Sequence, residues 1–153
     1  MKRRSPIAYG ILIVLIAILV MQFDFTGLKN RLYPNTTFTK EVIEKMGDKE
    51  VTALLLMQFP GNTLVLENKE DIDQVLDSLA PLKLKKVNKI PDTSKEESYD
   101  IIMRNQGENI FGVSLYDVKD MVITDFKNSS TQRYKITNDI DLDKIKKYLE
   151  NKN

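Results

Sequence analysis

The residues with the strongest claim to chemistry lie near the end of the chain, in DIDLDKIKKYLE. Asp139, Asp141 and Asp143 occupy positions one, three and five of a calcium loop, and Glu150 falls at position twelve. Position six of such a loop needs glycine for its sharp turn, and here it is Lys144, with Lys146 and Lys147 adding positive charge. The same residues make an ordinary helix start, with acids at the N-terminus and apolar residues three and four apart. The helix is the preferred reading, and no metal ligands are assigned.

Hydrolytic chemistry finds little more. Ser94-Lys95 could suggest a Ser-Lys dyad, but it stands in the polar stretch PDTSKEES, where such a pair is ordinarily solvated surface. Asp100, Asp117, Asp120 and Asp125 bracket the C-terminal strands, where acids usually form turns. Only a buried pair of them, with perturbed pKa values in a cleft, would make them catalytic. The chain has no histidine and no cysteine. That removes Ser-His-Asp and Cys-His catalysis and the usual zinc sites, and it excludes lipoprotein acylation. The chain therefore reads as non-enzymatic, without catalytic residues and without a cofactor.

One basic segment remains. Leu82–Ile90, LKLKKVNKI, begins by alternating apolar and basic residues. It could be a patch for acidic polymers, but Lys83, Lys85, Lys86 and Lys89 lack interleaved aromatics. An exposed edge strand guarded by lysines is the better reading. Such an edge offers backbone groups to an extended peptide, which makes Lys83, Lys85 and Val87 candidate partner contacts. Tyr116, at a strand end beside Asp117, is a fourth. Phe111 and Phe126 are expected inside.

The element that fixes the address is Ile7–Phe23, seventeen residues without a charged side chain. A helix of that length spans about 25 Å, the short end of what crosses a hydrocarbon core. A buried core helix would carry one apolar stripe, and here apolar residues go all the way round. A cleaved signal peptide needs small residues before the cut, and Leu19–Phe25 is bulky throughout. An uncleaved anchor is expected. Lys2, Arg3 and Arg4 hold the N-terminus in the cytoplasm, although Lys29 and Arg31 reduce the contrast across the span. The organisation is then a cytoplasmic tail over 1–6, a transmembrane anchor over 7–23, a linker or stalk over 24–49, and an extracytoplasmic domain over 50–153. Removing Lys2, Arg3 and Arg4 from the 23 Lys plus Arg leaves 20 against 22 Asp plus Glu, a balance that argues against nucleic acid as a partner.

Within the stalk, Thr39 is positioned to cap a short helix carrying Val42, Ile43 and Met46 and ending at Gly47. VTALLLMQF and TLVLE flank Pro60-Gly61-Asn62 and read as a hairpin. Leu54–Met57 does not alternate, which predicts a central strand covered on both faces. Asn68 opens a helix with Ile72, Val75, Leu76 and Leu79 on one stripe. SYDIIMRN, NIFGVSLYD, DMVITDF and TQRYKIT follow as a four-strand meander, and DLDKIKKYLEN as a terminal helix with Leu142, Ile145, Tyr148 and Leu149 facing the sheet. The expected fold class is α+β: an N-terminal transmembrane helix, then an antiparallel sheet packed with two helices on one face.

The anchor without a lipobox, KEDIDQVLDSLAPLKLKK, and NIFGVSLYDVKDMVITDF running into RYKITNDIDLDKIKKYL resemble small uncharacterised single-anchor extracytoplasmic proteins of Gram-positive bacteria. The resemblance covers residues 50 to 150 through patterning. It implies a cell-envelope location and transfers no activity, cofactor or site residue. The functional expectation is a membrane-anchored extracytoplasmic accessory module that binds an envelope protein or peptide. The alternatives are an immunity or inhibitor protein against an external toxin, and an envelope hydrolase.

Overall fold

Alternation along the strands sets the architecture of the computed structural model, which describes residues 34–89, 98–116 and 119–150. Leu54 and Leu56, Ile101 and Met103, and Val113 and Leu115 are buried, while the residues between them are half-buried. That period of two is what a sheet covered on one face imposes.

Among the described residues, the strands are β1 (Asn35–Thr37), β2 (Ala53–Phe59), β3 (Thr63–Leu66), β4 (Lys83–Val87), β5 (Ser98–Asn105), β6 (Glu108–Tyr116), β7 (Asp120–Asp125) and β8 (Ser130–Ile136). A π-helical turn, Thr39–Ile43, runs into an α-helical turn, Glu44–Met46, and the two together are α1. The other helices are α2 (Lys69–Leu79) and α3 (Asp143–Glu150). The eight strands form one sheet, every pairing antiparallel, in the order β1-β4-β8-β7-β6-β5-β2-β3. The fold is α+β with an antiparallel sheet.

The chain starts at one edge and lays the β2–β3 hairpin at the other. β3 and β4 lie six strand positions apart, about 29 Å at the usual strand spacing. The eleven residues of α2 supply about 16 Å of that return. The meander β5–β8 then fills the gap between hairpin and β4. Helix and sheet residues meet in one core that includes Val42 of α1, Val75 and Leu79 of α2, and Ile145 and Leu149 of α3. A register shift between Met103 and Arg104 of β5 lets two consecutive residues of β6, Ile110 and Phe111, both be buried.

Local chemistry explains the helix starts. Asn68 Oδ1 accepts from the N–H groups of Glu70 at 2.8 Å and Asp71 at 3.4 Å, as an N-cap should. Asp141 Oδ1 accepts from Asp143 N–H at 3.0 Å, so this acid of the calcium-like pattern serves the start of α3. Tyr148 then donates its hydroxyl to Asp71 Oδ1 at 2.9 Å, tying α3 to α2.

Four expectations are corrected. β4 is not an edge: β1 pairs with it through Asn35–Lys85, Thr36–Leu84 and Thr37–Lys83, and among the described strands the edges are β1 and β3. β2 is not covered on both faces; Leu55 and Met57 are half-buried on the side away from the helices. Residues 34–49 are not a stalk outside the domain. The compact unit runs Pro34–Asn153, with Phe38 and Val42 fully buried in its core. Thr39 does not cap α1: its hydroxyl donates to the Ala80 carbonyl at 3.0 Å, and Phe38, the N-cap residue, makes no side-chain cap bond.

The expected anchor over 7–23 lies outside the described residues, as do Ser94-Lys95 and Asp117. Among the described residues, no helix is long and apolar enough to cross a membrane.

Candidate functional site

With the helices on one face, the side chains between the core positions line the other. Strand register arranges them in cross-strand rows. One row reads Val65, Leu55, Ile102, Gly112, Thr124, Thr131 from β3 to β8. The row parallel to it reads Tyr116, Asp120, Lys135, Lys85 from β6 to β4. Lys83 and Val87 follow Lys85 on the same side of β4, since side chains two apart share a face.

The structure thus brings the four residues singled out from sequence onto one surface, and two of them, Lys85 and Tyr116, into one row. Three strand spacings separate those two, about 14 Å. What the sequence reading missed lies between them. Asp120 of β7 is only 6 % exposed, and Lys135 of β8 places its Nζ 3.3 Å from Asp120 Oδ1. Arg133 stands directly across from Val87. The signal for Arg133 and Lys135 was present: TQRYKIT alternates basic and inward-facing residues as LKLKK does.

The open face is asymmetric. At the β3–β2–β5 end it is apolar, with Phe59 65 % and Val65 44 % exposed beside Leu55, Met57 and Ile102. Phe126, expected inside, is 39 % exposed and covers Gly112 on this face. At the β8–β4 end the face is basic, with Lys83, Lys85, Arg133 and Lys135.

Two concave sites adjoin α1. A cleft of about 270 Å³ is lined by Thr36, Glu41, Lys45, Lys86, Gln132 and Tyr134, among others. Burial acts to raise the Glu41 carboxyl, but Lys45 and the hydroxyls of Tyr134 and Thr36 outweigh it and hold the group below its ordinary value. Burial, reinforced by that carboxylate, pushes the Tyr134 hydroxyl far above the tyrosine range. A wider groove of about 480 Å³ runs between α1 and α2, with Ile43, Met46, Ile72 and Leu76 among its lining residues and Lys49, Glu50, Lys69, Asp73 and Asp77 as its charged ones.

The strand-end carboxylates are dispersed. Asp100 and Asp120 stand in different rows of the open face, two strands apart. Asp125 is held by Asn128, whose side-chain nitrogen and backbone N–H lie 2.7 and 3.0 Å from its oxygens. Burial would raise the Asp125 carboxyl, and those bonds lower it instead, the behaviour of a turn-forming acid. Among the described residues, no three His, Cys, Asp or Glu side chains converge as a metal site. Comparison of the chain with protein-family models, with curated proteins and with solved structures returned no match.

Proposed function

We propose that this chain is a membrane-anchored extracytoplasmic binding module of a bacterial cell envelope, held by Ile7–Phe23 with its N-terminus in the cytoplasm, and that it binds a protein or peptide without catalysis. The observation that carries the reading is the open sheet face, where Phe59, Val65 and Phe126 are exposed close to the half-buried Leu55, Met57 and Ile102. A contiguous apolar surface of this kind marks an interaction site, and aromatic side chains supply most of the energy in such contacts. The contact assigned to a β4 edge moves accordingly to the face itself.

The test has two arms. External protease on intact cells should digest the domain and leave an N-terminal tag protected; a mature protein lacking residues 1–25 would overturn the anchored reading. Crosslinked partner recovery from membranes should fall in a Phe59→Ala/Val65→Ala variant and in Tyr116→Ala. Unchanged recovery in both variants would move the contact to the groove between α1 and α2.

A further inference from the structure

We infer that the basic end of the open face rests on the anionic phospholipid surface of the membrane in which the chain is anchored. The inference depends on the anchored reading above and adds a second contact to it, distinct from the apolar patch.

Charge placement is the first argument. Lys85 and Lys135 stand directly across from each other in neighbouring strands. Like charges so placed repel, and an anion beside them relieves the repulsion. Lys83 and Arg133 extend the band on the same face. Asp120, buried and 3.3 Å from Lys135, offsets one of the four cations, and among the described residues no ion pair offsets the other three. On the helix side, α2 carries Glu70, Asp71, Asp73 and Asp77 against a single Lys69. Charge is therefore uneven, acidic over α2 and basic at the β8–β4 end of the open face, while α3 carries three lysines against Asp143 and Glu150; an anionic surface attracts the basic band and repels α2.

Covalent connectivity is the second argument. β1, the first of the described strands, lies next to β4, and β4 next to β8. From Phe23 to Asn35 the chain can reach at most about 40 Å when fully extended. A tether of that length keeps the domain as a whole at the bilayer surface, where a weak attraction acts at high effective concentration. Docking at this end leaves the apolar patch accessible. β4 and β2 are five strand positions apart. At the usual twist of 20–25° per strand, the two ends of the face point roughly 100° apart.

The full chain in nanodiscs tests this. The sequence has no cysteine, so a single nitroxide can be placed at Thr131→Cys on the open face or at Asp77→Cys on α2. Collision with a lipid-bound nickel chelate then reports proximity to the bilayer. In phosphatidylcholine–phosphatidylglycerol discs the Thr131 label should be relaxed strongly and the Asp77 label weakly, and high salt should remove the difference. Each basic residue near an anionic surface contributes roughly a fivefold gain in partitioning, so Lys83→Gln/Lys85→Gln/Arg133→Gln should lower docking by about 100-fold. That variant keeps the Lys135–Asp120 ion pair, and the salt titration of the unsubstituted chain requires no variant. Equal relaxation of the two labels in anionic discs, or Thr131 contact undiminished in pure phosphatidylcholine, would overturn the docking. A chain that fails to co-purify with the discs would overturn the anchoring, and the docking with it.

Discussion

Tyr134, 2 % exposed in β8, sets its hydroxyl against the carboxylate of Glu41 on α1, and each group shifts the other's titration. The Thr36 hydroxyl of β1 donates to Glu41 Oε1 at 2.9 Å, and the Lys45 ammonium one turn along the helix reaches Oε2. One carboxylate thereby gathers donors from two strands and its own helix, and holds α1 against the sheet. The cluster works as a polar fastening that accounts for a buried tyrosine hydroxyl, a group that would be costly without an acceptor.

This fastening predicts a pH profile with two flanks. The folded-state pKa of Glu41 lies below its ordinary 4.5. Its contribution to stability is therefore complete above that value and is lost as pH falls through the depressed one. Tyr134 is shifted upward from 10.0, so its contribution is complete below that pH and is lost as pH rises beyond it, when the unfolded chain ionises first. Urea unfolding across pH should show both flanks. Glu41→Gln should flatten the acid flank, and Tyr134→Phe the alkaline one, the latter at a cost of about 1–3 kcal/mol near neutrality.

The helix stripe divides into residues that differ in worth. Leu79 is fully buried in the core, whereas Leu76 is half-buried and lines the groove beside α1. Leu79→Ala should cost about 2–5 kcal/mol. Leu76→Ala should cost less than half of that, because the groove already stands open at its side chain. Denaturant melts of the two variants decide it; equal losses would mean that the groove is closed in solution.

Much of this was legible in the sequence because it is local. The Asn68 cap, the α2 stripe, the hairpin around Pro60-Gly61 and the four strands of the meander follow from spacings a few residues long. The strand order was not legible. β1 is Asn35–Thr37, three polar residues with no apolar pattern, so nothing near Lys83–Val87 in sequence announces that β4 has a neighbour on that side. Leu54–Met57 misled for a related reason. A run that is apolar at every position predicts burial on both faces, yet here alternate residues lie on the open face. The pattern belongs in part to the open face, and periodicity alone cannot separate that from core. The same blindness hid the row from Tyr116 to Lys85, since Asp120 and Lys135 enter it only through long-range register.

Gly112 and Phe126 should behave as a coupled pair. A methyl added at Gly112 would sit 3.2 and 3.3 Å from two carbons of the Phe126 ring, tighter than ordinary contact. Alanine otherwise suits a strand interior better than glycine, by about 0.5–1 kcal/mol. Gly112→Ala alone should therefore be close to neutral, with the ring displaced outward. In a Phe126→Ala background the same change should be stabilising by about that amount. A double-mutant cycle measures the difference, and strict additivity would show that the ring does not rest on Gly112 in solution.

Proline substitutions distinguish the observed strand order from a β4 edge. Lys86 N–H bonds the Pro34 carbonyl at 3.3 Å, on the β1 side, while Thr137 N–H bonds the Lys83 carbonyl at 2.9 Å, on the β8 side. Backbone groups of a strand alternate in direction, so Val87 N–H points towards Arg133 in β8. Proline at Val87 removes a donor from the interior of the sheet, and its ring has no space beside β8. The expected outcome is a loss of about 2–4 kcal/mol, read as a lower denaturation midpoint by circular dichroism. Asn35 makes the control. Phe38 N–H bonds the Leu82 carbonyl, which with the Lys86 bond fixes the phase of β1 and turns Asn35 N–H outward from the edge. Asn35→Pro should therefore shift the midpoint far less than Val87→Pro. The opposite ranking would mean that β4, not β1, bounds this side of the sheet.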